Sequence, residues 1–480
     1  MGYQLRSFLH EVAAWLLADY PPLITCYNIW DVTETKPKKK LLIISHDKIG
    51  SSMAGPGIRY HYMAEVLSRD FDVTVGFFDP TYLPEAGFSK IYSAKSIPVH
   101  EFEAYFKDFE MIISHWLSQD MLDYCNRNDI FTVIDLYVPG PVENLAASLY
   151  SGNDVKPEND FEYSRASDMY RRFFENGDLF LISNRRQLDF WIGYIFGAGQ
   201  VQLATYRKRA FYERFIYAPM GIDTKASLKH DRDVIKGVIP GVDKKDKVLL
   251  WTGGIWGHFD GKILIRAMKR LENKHPHIKL VFFGTKHPNP NVSEMKESLD
   301  TRRLSQELGL TNKTVFFNDG WVKYPDRINY LLEADIAVST HKSSIETEFA
   351  HRTRILDHLL AELPTIATVG DYFSDEVIGP KQLGVVVPPN DETALKDAIL
   401  RVLEPKTYSA AKKNLKDARQ DFDWLHTLKP LIDYLRQEPV KMARLQTAPP
   451  LKTRSRPMRL ARKITPVPVK KAIIRTLRMR

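Results

Sequence analysis

Cysteine is scarce here. Cys26 and Cys125 are the only two in 480 residues; they cannot build a disulfide framework, and they point to a reducing compartment with buried thiols. No run of about 18 apolar residues occurs, which argues against a membrane-spanning helix. No Walker A sequence is present. No convincing Asp-x-Asp pair stands at a strand end and no His/Cys pattern has metal-ligand spacing; His275-Pro276-His277 falls in a polar loop. Hydrophobic residues at 44% and charged residues at 26% are ordinary for a globular protein and exclude a mainly disordered, collagen-like or multi-span chain. The length fits about two or three domains.

Acids are missing from 441–480, which carries thirteen Lys or Arg. The chain as a whole is +9, so the remainder is −4. A mildly acidic body with a basic appendage argues against a nucleic-acid-binding fold, which carries its basic patch on the fold itself. Within the tail, five prolines alternate with Leu460, Ile464, Val467, Ile473, Ile474 and Leu477. Two readings stand: contact with an anionic membrane surface, or a solvated disordered tail. At the other end, residues 1–40 read as a leader helix with Leu5, Phe8, Leu9, Val12, Trp15 and Leu16 on one face. Glu11, Asp19 and the lack of a small-residue cleavage site argue for docking rather than export. Arg6 replaces the Ser or Thr that N-terminal lipidation needs. The expected location is cytoplasmic, with the inner membrane face as a candidate station.

Between these ends, short apolar runs alternate with helical patterns. Leu41–Ser45, a glycine loop at Met53–Arg59, a helix through Tyr62 and Leu67, and Phe71–Val75 form a βαβ unit. Further strands are expected at 111–114, 132–134 and 179–182, and 150–177 reads as a polar surface insertion. A second series opens at Val248–Trp251 with the glycine loop Thr252–Gly257 and continues through strands at 279–283, 314–317, 336–339, 365–368 and 384–387. Such alternation predicts an α/β fold of two doubly wound parallel sheets facing across a cleft. The expected divisions are 41–218, 219–404, bracing helices at 405–440 and the tail at 441–480.

Glycine lets backbone N–H groups approach phosphate. Neither loop completes the dinucleotide fingerprint: after Gly55-Pro56-Gly57 the third glycine is missing, and Asp79 comes late for a ribose ligand. That disfavours an NAD-linked oxidoreductase. Segment 343–368 carries more chemistry. Ile355, Leu356, Leu359 and Leu360 make an apolar stripe, with Arg354 and Asp357 on another face. Two arginines, a helix start and an acid suit phosphate and ribose; the alternative is an Arg354–Asp357 surface pair. His115, His46 and Asp135 follow strands and are candidates at the cleft edge, with a purely structural role as the alternative for each histidine.

Over residues 41–435 the pattern resembles the retaining glycosyltransferases of family 4 (glycosyl transferases group 1), of bacterial cell-envelope and polysaccharide type, with the GT-B fold. The resemblance is carried by Ser51–Arg59, Asp135-Leu136-Tyr137 with Glu143-Asn144-Leu145, Arg186–Trp191, Trp251–Trp256, Gly284–Pro288, Gly320-Trp321-Val322 and Glu346–Asp371. It implies that 41–218 is the acceptor domain and that 219–404 holds a nucleotide-sugar donor: Gly253 and Gly254 at the diphosphate, Trp321 and Val322 at the base, Asp357 at the ribose. Gly55 and Gly57 would reach the donor phosphate from across the cleft. The family places Glu, seven residues, Glu in this region; here Asp357 takes the second position, Phe349 stands eight residues before it, and Glu346 and Glu348 are the nearest acids for the first role. Arg352, Arg354, Lys262 and Lys286 are the available cations. His115 is expected near the sugar, and Asp135 is expected to hold acceptor or sugar.

The implied activity is metal-independent, cofactor-free hexosyl or deoxyhexosyl transfer to a saccharide or lipid-linked acceptor. The acceptor proton is expected to leave toward the departing phosphate, so no strong protein base is required. A nucleotide-sugar epimerase of the same fold and a non-catalytic nucleotide-sugar-binding scaffold are the alternatives.

Overall fold

The computed structural model describes residues 37–77, 102–150, 157–201, 206, 210–226, 228–284, 294–437, 439 and 441. The leader helix, Lys286 and nearly all of the basic tail lie outside the described residues. From Lys39 onward the described residues belong to one compact unit.

Among the described residues, twelve parallel strands make two six-stranded sheets. The first holds β1 (Lys40–Ser45), β2 (Asp72–Phe77), β3 (Met111–Ser114), β4 (Phe131–Asp135), β5 (Leu179–Ile182) and β6 (Phe215–Tyr217), in the order β2-β1-β3-β4-β5-β6. The second holds β7 (Lys247–Thr252), β8 (Ile278–Phe283), β9 (Val315–Phe317), β10 (Ile336–Ser339), β11 (Thr365–Thr368) and β12 (Gly384–Val387), in the order β12-β11-β10-β7-β8-β9. These are the two Rossmann-like halves of the GT-B fold. In each half the chain leaves the central strand to one side and returns on the other. Those reversals, between β1 and β3 and between β7 and β10, open crevices at the strands' carboxyl ends.

The strands are continuous apolar runs because helices cover both faces. Alternate residues of one strand feed opposite cores. Leu41 and Ile43 pack with Tyr60 and Met63, while Leu42 and Ile44 pack with Phe106 and Ile112. In the second half, Leu249 and Trp251 face Leu264 and Met268, and Val248 and Leu250 face Leu331.

One expectation is corrected. Instead of a surface insertion, Pro157–Asn176 is a 20-residue helix. Tyr170, Phe173 and Phe174, on one face at helical spacing, are 3%, 1% and 1% exposed and pack on Trp191 and Phe180. The last helix, Trp424–Arg436, returns to the first half. Trp424 stacks on Tyr62 with ring centres 5.4 Å apart, and Arg436 pairs with Asp70 at 2.7 Å. Cys125 is buried, and burial pushes its thiol up to about 12, which leaves it unreactive. No helix among the described residues is long and apolar enough to cross a membrane.

Candidate functional site

The first glycine loop delivers the helix Gly55–Leu67 to the cleft. No side chain caps this helix and its first turn holds no acid, so its positive end is open to an anion. Its two glycines differ. A Cβ on Gly57 would overlap the Lys48 carbonyl, so Gly57 is fixed by close backbone packing. A Cβ on Gly55 would meet only Thr353 Oγ1, at 4.0 Å, so Gly55 faces open space opposite the second half.

Across from it, Gly253 has φ +79°, a conformation that suits glycine. Here the four candidate cations separate. Lys262 pairs with Glu297 at 3.1 Å. Arg352 is held by Glu346 through two bonds of 2.7 Å, both groups buried. Lys286 lies outside the described residues. Arg354 has no carboxylate within ion-pair distance among the described residues. Its Nη2 donates to the Gly254 carbonyl at 2.7 Å, Nη1 has no partner among the described residues, and the guanidinium lies 3.7 Å from the centre of the Phe259 ring and 4.8 Å from that of Trp251. Burial, with Arg352 adding, pulls its pKa well down. A cation in this state is stabilised by an incoming anion. Arg354 and Asp357 therefore do not form the surface pair that their spacing allows.

Asp357 is half-buried and accepts from Arg327 Nε at 3.0 Å. Arg327 in turn lies over the Tyr324 ring at 3.5 Å. Tyr324 closes the loop that begins with Trp321 and Val322, both half-buried, and its N–H donates to the Ser51 carbonyl of the other half at 2.7 Å. Arg186 also bridges the halves, donating to the Gly370 carbonyl at 2.8 Å and to Asp375 and Glu376 at 2.9 Å each. The two acids considered for the first position of the motif have different surroundings: Glu346 is buried with both oxygens on Arg352, and Glu348 is exposed.

In the first half, His115 Nδ1 lies 2.8 Å from the Asp135 carbonyl, and its ring is 4.9 Å from that of His46. Burial lowers the pKa of both, that of His46 to about 3, so both are neutral at pH 7. With Nδ1–H donating to the carbonyl, His115 Nε2 is left as an acceptor. Asp135 is not at the cleft edge as expected. It is 0% exposed, and Arg59 takes both of its oxygens at 2.6 and 2.8 Å. The desolvated carboxylate and guanidinium satisfy each other, which leaves no oxygen for sugar or acceptor.

Residues 238–420 match the family model of the glycosyl transferases group 1. No curated protein matches the chain. Among solved structures, a sucrose-phosphate synthase from Thermosynechococcus elongatus is similar at TM-score 0.60 and 18% identity, covering 83% of this chain and 99% of that one. The Anabaena protein HepE in complex with UDP is similar at 0.56 and 15%, covering 83% and 99%. An E. coli trehalose-6-phosphate structure bound with UDP-2-fluoro glucose is similar at 0.57 and 11%, covering 84% and 100%. These likenesses show the GT-B fold.

Sequence reasoning missed Arg327, Phe259 and Arg59. Phe259 follows a glycine loop and precedes a helix, a place where an aromatic ring is a signal in itself. The two arginines give no local sign of their distant partners. It also missed His230, Asp233 and Glu333, which gather ligand atoms within 4.8 Å. There the Glu333 carboxylate already accepts from the Val234, Ile235 and Lys236 N–H groups, and so fixes a turn.

Proposed function

We propose that this chain is a retaining, metal-independent glycosyltransferase that moves a hexosyl or deoxyhexosyl group from a nucleoside diphosphate sugar to a saccharide or lipid-linked acceptor in polysaccharide or cell-envelope synthesis. The observation that carries the reading is Arg354: a desolvated cation with no carboxylate in reach among the described residues, at a glycine loop, in the segment that matches the group 1 family model. The nucleotides bound by HepE and by the E. coli structure support a uridine donor.

In this reading the donor diphosphate lies between Arg354, the backbone at Gly253 and Gly254, and the open helix start at Gly55. As the bond from C1 to the diphosphate breaks, charge builds on the leaving oxygens where these groups point; one well-placed donor contributes about 3–4 kcal/mol there. Asp357, steadied by Arg327, accepts from ribose hydroxyls, and Trp321 with Val322 lines the base. His115 Nε2 accepts from a sugar hydroxyl. Glu346 acts on the sugar side by fixing Arg352. The basic segment 441–480 suits an acceptor presented on an anionic inner membrane face.

A thermal-shift panel of nucleoside diphosphates and nucleotide sugars, with and without Mg²⁺, tests the donor site. Stabilisation by one nucleotide series, unchanged by metal and lost in Arg354→Ala, is expected. No stabilisation of the folded protein by any of them sinks the reading. Product analysis then separates a new glycoside from an isomerised donor, which an epimerase gives, and from an unchanged donor, which a scaffold gives. For the membrane station, binding to anionic vesicles that disappears on deleting 441–480 is expected.

A further inference from the structure

Of the carboxylates described above, Glu348 is exposed and three are occupied: Arg59 holds the buried Asp135, Arg352 holds Glu346 and Arg327 holds Asp357. Glu143 is different. It lies in the first turn of the helix Gly140–Tyr150, which leaves the end of β4 just beyond the carbonyl that holds His115. This helix reaches the second half. Its last residue, Tyr150, packs so closely on Gly257 that a Cβ there would overlap it, and Lys342 Nζ lies 4.5 Å from the Tyr150 ring. Glu143 thus stands in a helix tied across the cleft, and its charge is felt by the Glu346–Arg352 pair of the donor half.

No hydrogen bond or ion pair joins the Glu143 carboxylate to any described residue. Solvent reaches it, yet the surrounding cleft desolvates it enough to push its carboxyl up to about 7, with Glu346 adding to the rise and Arg352 opposing it. The other titratable groups that sense it are the phenols of Tyr137 and Tyr170, both neutral at this pH. Arg352 has already committed both terminal nitrogens to Glu346, so among the described residues no cation pairs with Glu143. A carboxylate in that position is best satisfied by neutral hydroxyl donors from a ligand.

We propose that Glu143 is the acceptor-recognition carboxylate, accepting hydrogen bonds from the hydroxyls of an acceptor saccharide that enters from the first half of the cleft. The inference rests on the transferase reading and adds to it the group of the first half that recognises the acceptor.

The test uses the full chain, the nucleotide sugar that stabilises it, and the octyl glycosides of glucose, galactose, mannose and N-acetylglucosamine as acceptor probes. Glu143→Gln and Glu143→Asp are compared with wild type. In Glu143→Gln the acceptor KM rises about tenfold or more, the scale of one lost charge-assisted hydrogen bond. Nucleoside diphosphate affinity and the slow hydrolysis of donor by water stay within about twofold of wild type, since no acceptor is involved. Glu143→Asp recovers part of the loss. Wild-type kcat/KM for acceptor rises as pH passes through about 7, whereas that of Glu143→Gln does not respond over the same range. An unchanged acceptor KM, or a parallel loss of donor binding, overturns the inference. So does rejection of all four octyl glycosides by a wild type that still hydrolyses donor, because the acceptor is then no saccharide. A wild type that binds nucleotide but neither transfers nor hydrolyses the sugar overturns the transferase reading itself.

Discussion

Arg354 rests its guanidinium 3.7 Å from the centre of the Phe259 ring, with the Gly254 carbonyl at 2.7 Å and no carboxylate in reach among the described residues. The ring supplies a polarisable face but no full negative charge, so the site favours an anion while empty. Arg354→Ala is expected to weaken nucleoside diphosphate binding by about 10–100-fold, the loss of one or two charge-assisted hydrogen bonds. The same change removes a half-buried, uncompensated cation, so the unliganded protein keeps its melting temperature or gains on it. Calorimetric titration beside thermal melting checks both parts. A large fall in melting temperature without loss of nucleotide binding would make Arg354 a packing residue.

The second half was legible because its strands are continuous apolar runs separated by loops of glycine and polar residues, as in β7 and β8. The short edge strand β6 was not legible: three residues, Phe215–Tyr217, sit among basic and aromatic neighbours with no periodicity to mark them. The helix Pro157–Asn176 was hidden by its average polarity, although Tyr170, Phe173 and Phe174 fall at helical spacing. At the site, Arg354 and Asp357 stood out because a helix start concentrates chemistry in few residues. Their surroundings did not. Arg59 and Asp135 are 76 residues apart, and Arg327 and Asp357 are 30 apart. Pairings over such distances leave no trace in composition or period, so Asp135 read as a free acid at a strand end when it is a buried partner.

Asp357 recognises ribose in the reading above, and this has a signature that simple loss of stability lacks. Wild type should bind a nucleoside diphosphate about tenfold or more tighter than its 2′- or 3′-deoxy analogue, because a half-buried carboxylate covered by the ligand but left without its hydroxyl is penalised. Asp357→Ala should lose that preference while binding the deoxy compound about as well as wild type does. The double comparison cancels effects on folding. A preference that survives in Asp357→Ala assigns the ribose to another group.

The Arg59–Asp135 pair is 0% exposed on both sides, and Arg59 also donates to the Ala218 carbonyl at 2.9 Å. Removing one member strands the other charge in the core. Asp135→Ala is therefore expected to cost about 3–5 kcal/mol of unfolding free energy, and replacing both residues by apolar ones of similar volume to cost less. Urea denaturation of single and double variants reads this directly. His115 is held by the Asp135 backbone carbonyl and not by its carboxylate, so any Asp135→Asn variant that folds should keep the His115 environment, seen as an unshifted imidazole resonance. A double variant as unstable as the single one contradicts the buried-charge argument.

His358 ties the donor site to the sheet beneath it. Its Nε2 lies 2.9 Å from Thr252 Oγ1, at the start of the second glycine loop, and its Nδ1 lies 3.2 Å from Thr365 Oγ1 on β11. Thr365 Oγ1 is 3.0 Å from the Leu363 carbonyl, so the consistent arrangement has Thr365 donating to that carbonyl, Nδ1–H donating to Thr365, and Nε2 accepting from Thr252. Burial, helped by Arg354, pushes the imidazole down from 6.5 to about 3. The folded state thus refuses a proton that the unfolded chain takes up below pH 6.5, and the stability due to His358 is whole above that pH and is lost as pH falls toward 3. His358→Gln should cost about 2 kcal/mol at pH 8 through two buried hydrogen bonds. The difference from wild type should then shrink by about 1.4 kcal/mol per pH unit below 6.5 and vanish near pH 5. Urea midpoints of the two proteins across pH 8 to 5 measure it, and a difference that stays constant would mean that His358 is protonated alike in the folded and unfolded states.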